Sequence, residues 1–126
     1  MLSQSRKDTL LRKLVSKAKS NGAQELKGRV VNDPLKQPLM FNGSAKKFEP
    51  DLIETVKDGG VNLYQIETSV RESEITDHIA KWILFSSYAK RHHGEFYLYV
   101  PTKKLEHVKE LLSRKLISAH VFEIEK

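Results

Sequence analysis

The strongest constraint on the fold lies in the middle of the chain, where two β-type runs flank a glycine-rich turn. Leu52-Ile53-Glu54-Thr55-Val56 leads into Lys57-Asp58-Gly59-Gly60, and Val61-Asn62-Leu63-Tyr64-Gln65-Ile66-Glu67 follows. Branched and aromatic residues favour the pleated, half-buried surface of a strand, and Asp-Gly-Gly supplies the positive-φ positions that a tight reversal needs. The pattern therefore predicts an antiparallel hairpin. Closing it brings Asp51, just before the first run, alongside Glu67 at the end of the second.

After the hairpin the period changes. Glu74 and Asp77 suit the positive end of a helix, and Ile75, Ile79, Trp82, Ile83 and Ala89 recur along one stripe until about His93-Gly94. Phe96-Tyr97-Leu98-Tyr99-Val100, closed by Pro101, reads as a strand. A helix then turns Leu105, Val108, Leu111 and Leu112 inward, and His120 through Glu125 alternates as a last strand. Strand-helix-strand-helix-strand connections favour parallel neighbours, whereas a hairpin is antiparallel, so the expectation is an α/β fold with a mixed central sheet and helices on both faces.

The first 48 residues read differently. Ser5-Arg6-Lys7-Asp8 resembles a helix start, Leu10, Leu11, Leu14, Val15 and Ala18 continue at helical spacing, and Asn21-Gly22 closes the helix. Residues 23–48 are interrupted by Asn32-Asp33-Pro34, Pro38 and Asn42-Gly43. They read as an irregular segment in which Arg29-Val30-Val31 and Pro38-Leu39-Met40-Phe41 are candidate short strands. The chain is thus read as one domain over residues 1–126, with a basic helix and irregular segment at 1–48 and the core at 49–126.

With 126 residues, 39% of them hydrophobic and 30% charged, the chain suits one core and no membrane span. There is no cysteine, which excludes disulfides and thiol chemistry, and Met1 to Lys7 lacks the apolar run of a signal peptide. A cytoplasmic, intracellular setting is expected. The net charge is +6, and residues 1–47 hold eleven Lys or Arg against Asp8, Glu25 and Asp33. A polyanion-binding surface would draw on Arg6, Arg12, Lys13, Lys46 and Lys47. The plainer reading of the helix's basic face is a solvated one.

Hydrolysis of a phosphodiester benefits from a divalent cation that polarises the phosphate and activates water, and hard cations are held by carboxylates. Asp51 and Glu67 on the two limbs of one hairpin provide such a pair. In this respect the chain resembles the PD-(D/E)xK nuclease superfamily, and more narrowly its small stand-alone members with a Pro-Asp, a hairpin and an acid-x-Glu-Thr segment. The residues that carry the likeness are Pro50-Asp51, Tyr64-Gln65-Ile66-Glu67-Thr68, the helix with His78 and Lys81-Trp82, and Gly94 through Pro101, so that it spans about residues 49–125.

The resemblance implies a restriction-endonuclease-like core, Mg²⁺ or Mn²⁺ as cofactor and DNA as partner. It makes Asp51 and Glu67 the metal ligands, with the carbonyl of Ile66 or Thr68 as a candidate third. The pattern is degenerate, because Gln65 stands where an acid is usual and Glu67 where the lysine would be. Lys81 on the next helix becomes the substitute lysine, Gln65 a group that orients water or metal, and Glu25 a weaker candidate for an additional acid. A domain of this size covers little duplex, so homodimerisation is compatible with cutting two strands. The alternatives are a nuclease-fold protein without catalysis, serving as a nucleic-acid-binding or protein-interaction module, and a structural or inhibitory partner protein.

Other residues have plainer readings. His78, His92, His93, His107 and His120 form no His-x-x-x-His spacing, and His92-His93 reads as a cationic helix cap. Trp82 reads as a core anchor. Tyr97 and Tyr99, on one strand face, read as packed under a helix rather than stacked on nucleobases.

Overall fold

The structure is a computed structural model that describes residues 4–28 and 48–124. Lys36, Lys46, Lys47 and the two candidate strands at 29–31 and 38–41 lie outside the described residues. The elements run α1 (Gln4–Ser20), β1 (Glu25–Gly28), β2 (Leu52–Thr55), β3 (Val61–Ile66), α2 (Ile75–Arg91), β4 (Phe96–Pro101), α3 (Leu105–Arg114) and β5 (His120–Ile124). Short 3₁₀ turns, Glu72–Glu74 and Thr102–Lys104, lead into α2 and α3.

The expected hairpin is β2 and β3, antiparallel with Leu52 opposite Tyr64 and Thr55 opposite Val61. Gly59 takes φ 91°, the Val56 N–H donates to the Gly60 carbonyl, and Asp58 Oδ1 accepts from the Gly60 N–H at 2.9 Å. The glycine conformation and the aspartate side chain together set the reversal. β4 joins β3 in parallel and β5 joins β4 in parallel, with α2 and α3 as the crossovers. β1 completes a five-stranded sheet in the order β1-β2-β3-β4-β5, antiparallel to β2. These four residues fall within the segment expected to be irregular. Glu25-Leu26-Lys27-Gly28 is too polar to announce a strand, and it forms on the edge because β2 offers unpaired backbone groups.

The side-chain period of two divides the apolar residues between the faces. Ile53, Leu63, Leu98 and Val100 face α2 and α3, where Trp82, Phe85, Val108 and Leu112 cover them. Leu52, Ile66 and Ile124 face α1 and meet Leu11, Leu14 and Val15. The expectation of an α/β mixed sheet with helices on both faces agrees with this arrangement. One residue departs from the predicted stripe. Ile83 is exposed, and the inward face of α2 runs His78, Trp82, Phe85 and Ala89.

Candidate active site

Asp51 and Glu67 sit at the same end of the sheet because β2 begins where β3 finishes. Asp51 is fixed by the main chain of β3, its Oδ2 accepting from the Ile66 N–H at 2.8 Å. Glu67 prolongs the ladder, its N–H donating to the Tyr99 carbonyl at 2.9 Å. Between the two acids lies the buried Gln65 side chain. Its Oε1 accepts from the Asp51 N–H at 3.2 Å and its Nε2 donates to Glu67 Oε1 at 3.3 Å. The amide in the acid slot is therefore a spacer between the carboxylates, with both of its ends used.

Glu67 is 6% exposed and its Oε2 is crowded with donors. Lys81 Nζ lies at 2.6 Å, Trp82 Nε1 donates at 2.9 Å and His78 Nδ1 lies at 3.2 Å. All three come from α2. Burial alone would raise the Glu67 pKa, but the His78 contact and the Lys81 ammonium outweigh it and hold it at about 2, well below its ordinary 4.5. The opposite balance holds at Asp51. There burial raises the carboxyl above its ordinary range, and the Lys7 ammonium and the Ile66 N–H only partly offset it. His78 Nε2 is buried with no hydrogen-bond partner among the described residues, and Glu74 Oε1 stands 3.9 Å from it.

Lys81, the substitute lysine that the resemblance implies, lies against Glu67. Lys7, Trp82 and His78 were not expected in the site. Lys7 Nζ reaches Asp51 Oδ1 at 3.1 Å from α1. Helical spacing carried a signal for two of them: Lys7 precedes Leu11 by four positions and Leu14 by seven, and His78 precedes Trp82 by four, so each is a polar residue on an apolar stripe. Trp82 fills the core role predicted for it and also binds the carboxylate through its indole N–H.

The structure corrects the assignment of Glu25. It stands on β1 opposite Thr55, at the far end of β2 from Asp51, and cannot join the two acids. Arg6, Arg12 and Lys13 are exposed on α1, the helix that delivers Lys7. Among the described residues no group of three or more His, Cys, Asp or Glu side chains is placed to hold a metal. The available donor set is two carboxylates, which is the number Mg²⁺ commonly takes from a protein when waters and substrate phosphates complete its shell.

Comparison with protein-family models, curated proteins and solved structures gives no match. No described helix is long and apolar enough to cross a membrane.

Proposed function

We propose that the chain is a metal-dependent nuclease of restriction-endonuclease-like fold that hydrolyses phosphodiester bonds in DNA. The observation that supports this reading best is the 2.6 Å contact between Lys81 Nζ and Glu67, which brings a lysine from α2 beside the second acid of the pair. The sheet supports it too: an antiparallel hairpin enters a parallel crossover, and both acids lie at one end.

Asp51 and Glu67 would hold Mg²⁺ or Mn²⁺, which when bound supplies Lewis acidity and lowers the pKa of its water. Gln65 keeps the carboxylates apart and oriented. Lys81, charged beside Glu67, stabilises negative charge that develops on the phosphate. Lys7 neutralises Asp51, and its ammonium would be free to meet a backbone phosphate if Asp51 held a divalent cation. Arg6, Arg12 and Lys13 extend the positive surface along α1 and give little base readout.

Assays on linear, nicked, single-stranded and branched DNA with Mg²⁺ or Mn²⁺ test the proposal. Asp51→Ala and Lys81→Met are each expected to lower cleavage by about 100-fold or more. Full activity in Asp51→Ala would remove the site assignment.

The neutralisation of both carboxylates by Lys7 and Lys81 favours a second reading, a nuclease-fold protein that binds nucleic acid without cutting it. Calorimetric titration separates the two. Heat from Mn²⁺ binding that disappears in Asp51→Ala belongs to the first, and DNA affinity with no metal binding belongs to the second.

A further inference from the structure

Glu67 is bound unequally at its two carboxylate oxygens. Oε2 meets Lys81 Nζ at 2.6 Å, the Trp82 indole N–H at 2.9 Å and His78 Nδ1 at 3.2 Å. Among the described residues Oε1 receives one neutral donor, Gln65 Nε2, at 3.3 Å. An ionised carboxylate offers about two lone-pair positions on each oxygen. Oε2 is therefore full, whereas Oε1 keeps room for a further partner.

The imbalance originates in one turn of α2. Positions 78, 81 and 82 lie within one arc of the helix, so three donors approach Glu67 from the same side. Two of them are fixed by packing. Trp82 is fully buried in the core between α2 and the sheet, and the His78 ring stacks on it with centroids 5.4 Å apart and planes 13° apart. A buried indole N–H needs an acceptor, and that need by itself would account for one of the contacts. It does not account for three donors converging on one oxygen, since a carboxylate held only for structure is satisfied more easily by donors spread over both.

Asp51 repeats the arrangement. Its Oδ2 is tied to the Ile66 main-chain N–H at 2.8 Å, and its Oδ1 is left to Lys7, 3.1 Å away on a long side chain from α1. Gln65 lies between the acids, its amide against the Asp51 N–H and Glu67 Oε1. Each acid thus has one oxygen fastened by the fold and one turned toward a replaceable partner.

We propose that Trp82 and His78 are positioning residues for the cation site: by occupying Glu67 Oε2 they fix the carboxylate and reserve Oε1 as the oxygen that takes the cation, with Asp51 Oδ1 as its counterpart. This role rests on the reading of Asp51 and Glu67 as cation ligands and not on what the site cleaves. Neither residue touches the cation. Bidentate binding by Glu67 is disfavoured for the same reason, because a cation on Oε2 would have to displace the Lys81 ammonium and the indole N–H.

Trp82 is the only tryptophan of the chain, so its indole N–H gives one resonance in the nuclear magnetic resonance spectrum. When the full chain is titrated with Mg²⁺, that resonance is expected to shift while staying protected from exchange with water. Mn²⁺, which is paramagnetic, is expected to broaden it away, and Asp51→Ala should remove both effects. Calorimetry is expected to show Mn²⁺ affinity weaker by about tenfold in Trp82→Phe, which keeps an aromatic ring and loses the donor. His78→Leu should weaken it similarly, and His78→Asn, which retains a donor near the place of Nδ1, should recover most of it. Lost packing does not produce that rescue, and the His78 pair carries the test should Trp82→Phe fail to fold. Loss of indole protection on Mg²⁺ binding, or unchanged affinity in Trp82→Phe and His78→Leu, would overturn the positioning role and leave the metal site standing. No heat with Mn²⁺ and no indole shift in the wild type would remove the metal site itself, and the positioning role with it.

Discussion

Glu67 and Asp51 are both buried carboxylates, yet they respond to acid in opposite senses. The folded protein holds Glu67 at about 2, below its ordinary 4.5, so the ionised form favours folding. That contribution is complete above about pH 4.5 and is lost as the pH falls toward 2. Chemical denaturation across this range should show stability declining in the wild type and a flatter profile in Glu67→Gln. At neutral pH the same substitution is expected to cost about 3 kcal/mol, since Lys81 loses its buried partner. Asp51 has its folded pKa raised by burial, so its ionised form opposes folding: the penalty sets in as the pH rises through the ordinary 3.8 and is complete above the raised value. Asp51→Asn keeps an acceptor for the Ile66 N–H and removes the charge. Its melting temperature at pH 7 should rise above that of the wild type, the usual sign of a residue kept for function at a cost in stability. The nearness of Asp51, Gln65 and Glu67 was legible because a hairpin converts sequence separation into adjacency, whereas Lys81 on α2 entered only through the family resemblance. Lys7 was not legible, because it reaches Asp51 from a helix forty-four positions earlier in the chain.

The helices end alike. Each closes with a bond from the residue after a left-handed position back to the last turn: Ala23 N–H to the Ala18 carbonyl, Gly94 N–H to Ala89 and Ile117 N–H to Leu112. Gly22 occupies the left-handed position after α1, but His93 and Leu116 occupy it after α2 and α3, with φ of 59° and 55°. α2 closes at Arg91, just before the expected end near His93-Gly94, and His93 rather than the glycine takes the left-handed position. Gly94 serves close approach instead, since a Cβ there would strike the Val61 main-chain carbonyl. Leu116, 92% exposed, gains nothing from its side chain. Leu116→Gly is expected to stabilise the fold by about 1 kcal/mol, measured by urea denaturation, and Gly94→Ala to destabilise it severely. Periodicity made the hairpin, α2, β4 and α3 readable. It failed for β1, whose only apolar side chain is Leu26, because an edge strand is specified by its neighbour more than by its own pattern.

At the scale of the molecule, positive charge and the two-faced sheet matter most. If α1 lines the DNA backbone, affinity must fall steeply with salt. Replacing Arg12 and Lys13 by alanine should reduce the slope of log K against log salt by about 2, whatever the base sequence. The two apolar clusters divide the structure unequally. α2 and α3 share the larger one, whereas α1 rests on Leu52, Ile66 and Ile124, with Leu26, Tyr64 and Tyr99 beside them, and also carries Lys7 to Asp51. Replacing Leu11 by alanine should cost about 3 kcal/mol and loosen this helix first, as thermal melts with and without it would record. Docking of α1 and occupancy of Asp51 by any other cation then draw on the same contact. If Asp51 takes Mn²⁺ in place of Lys7, added Mn²⁺ should speed amide hydrogen exchange along α1 and spare α2, and the first helix would then act as a stopper that the cation unseats.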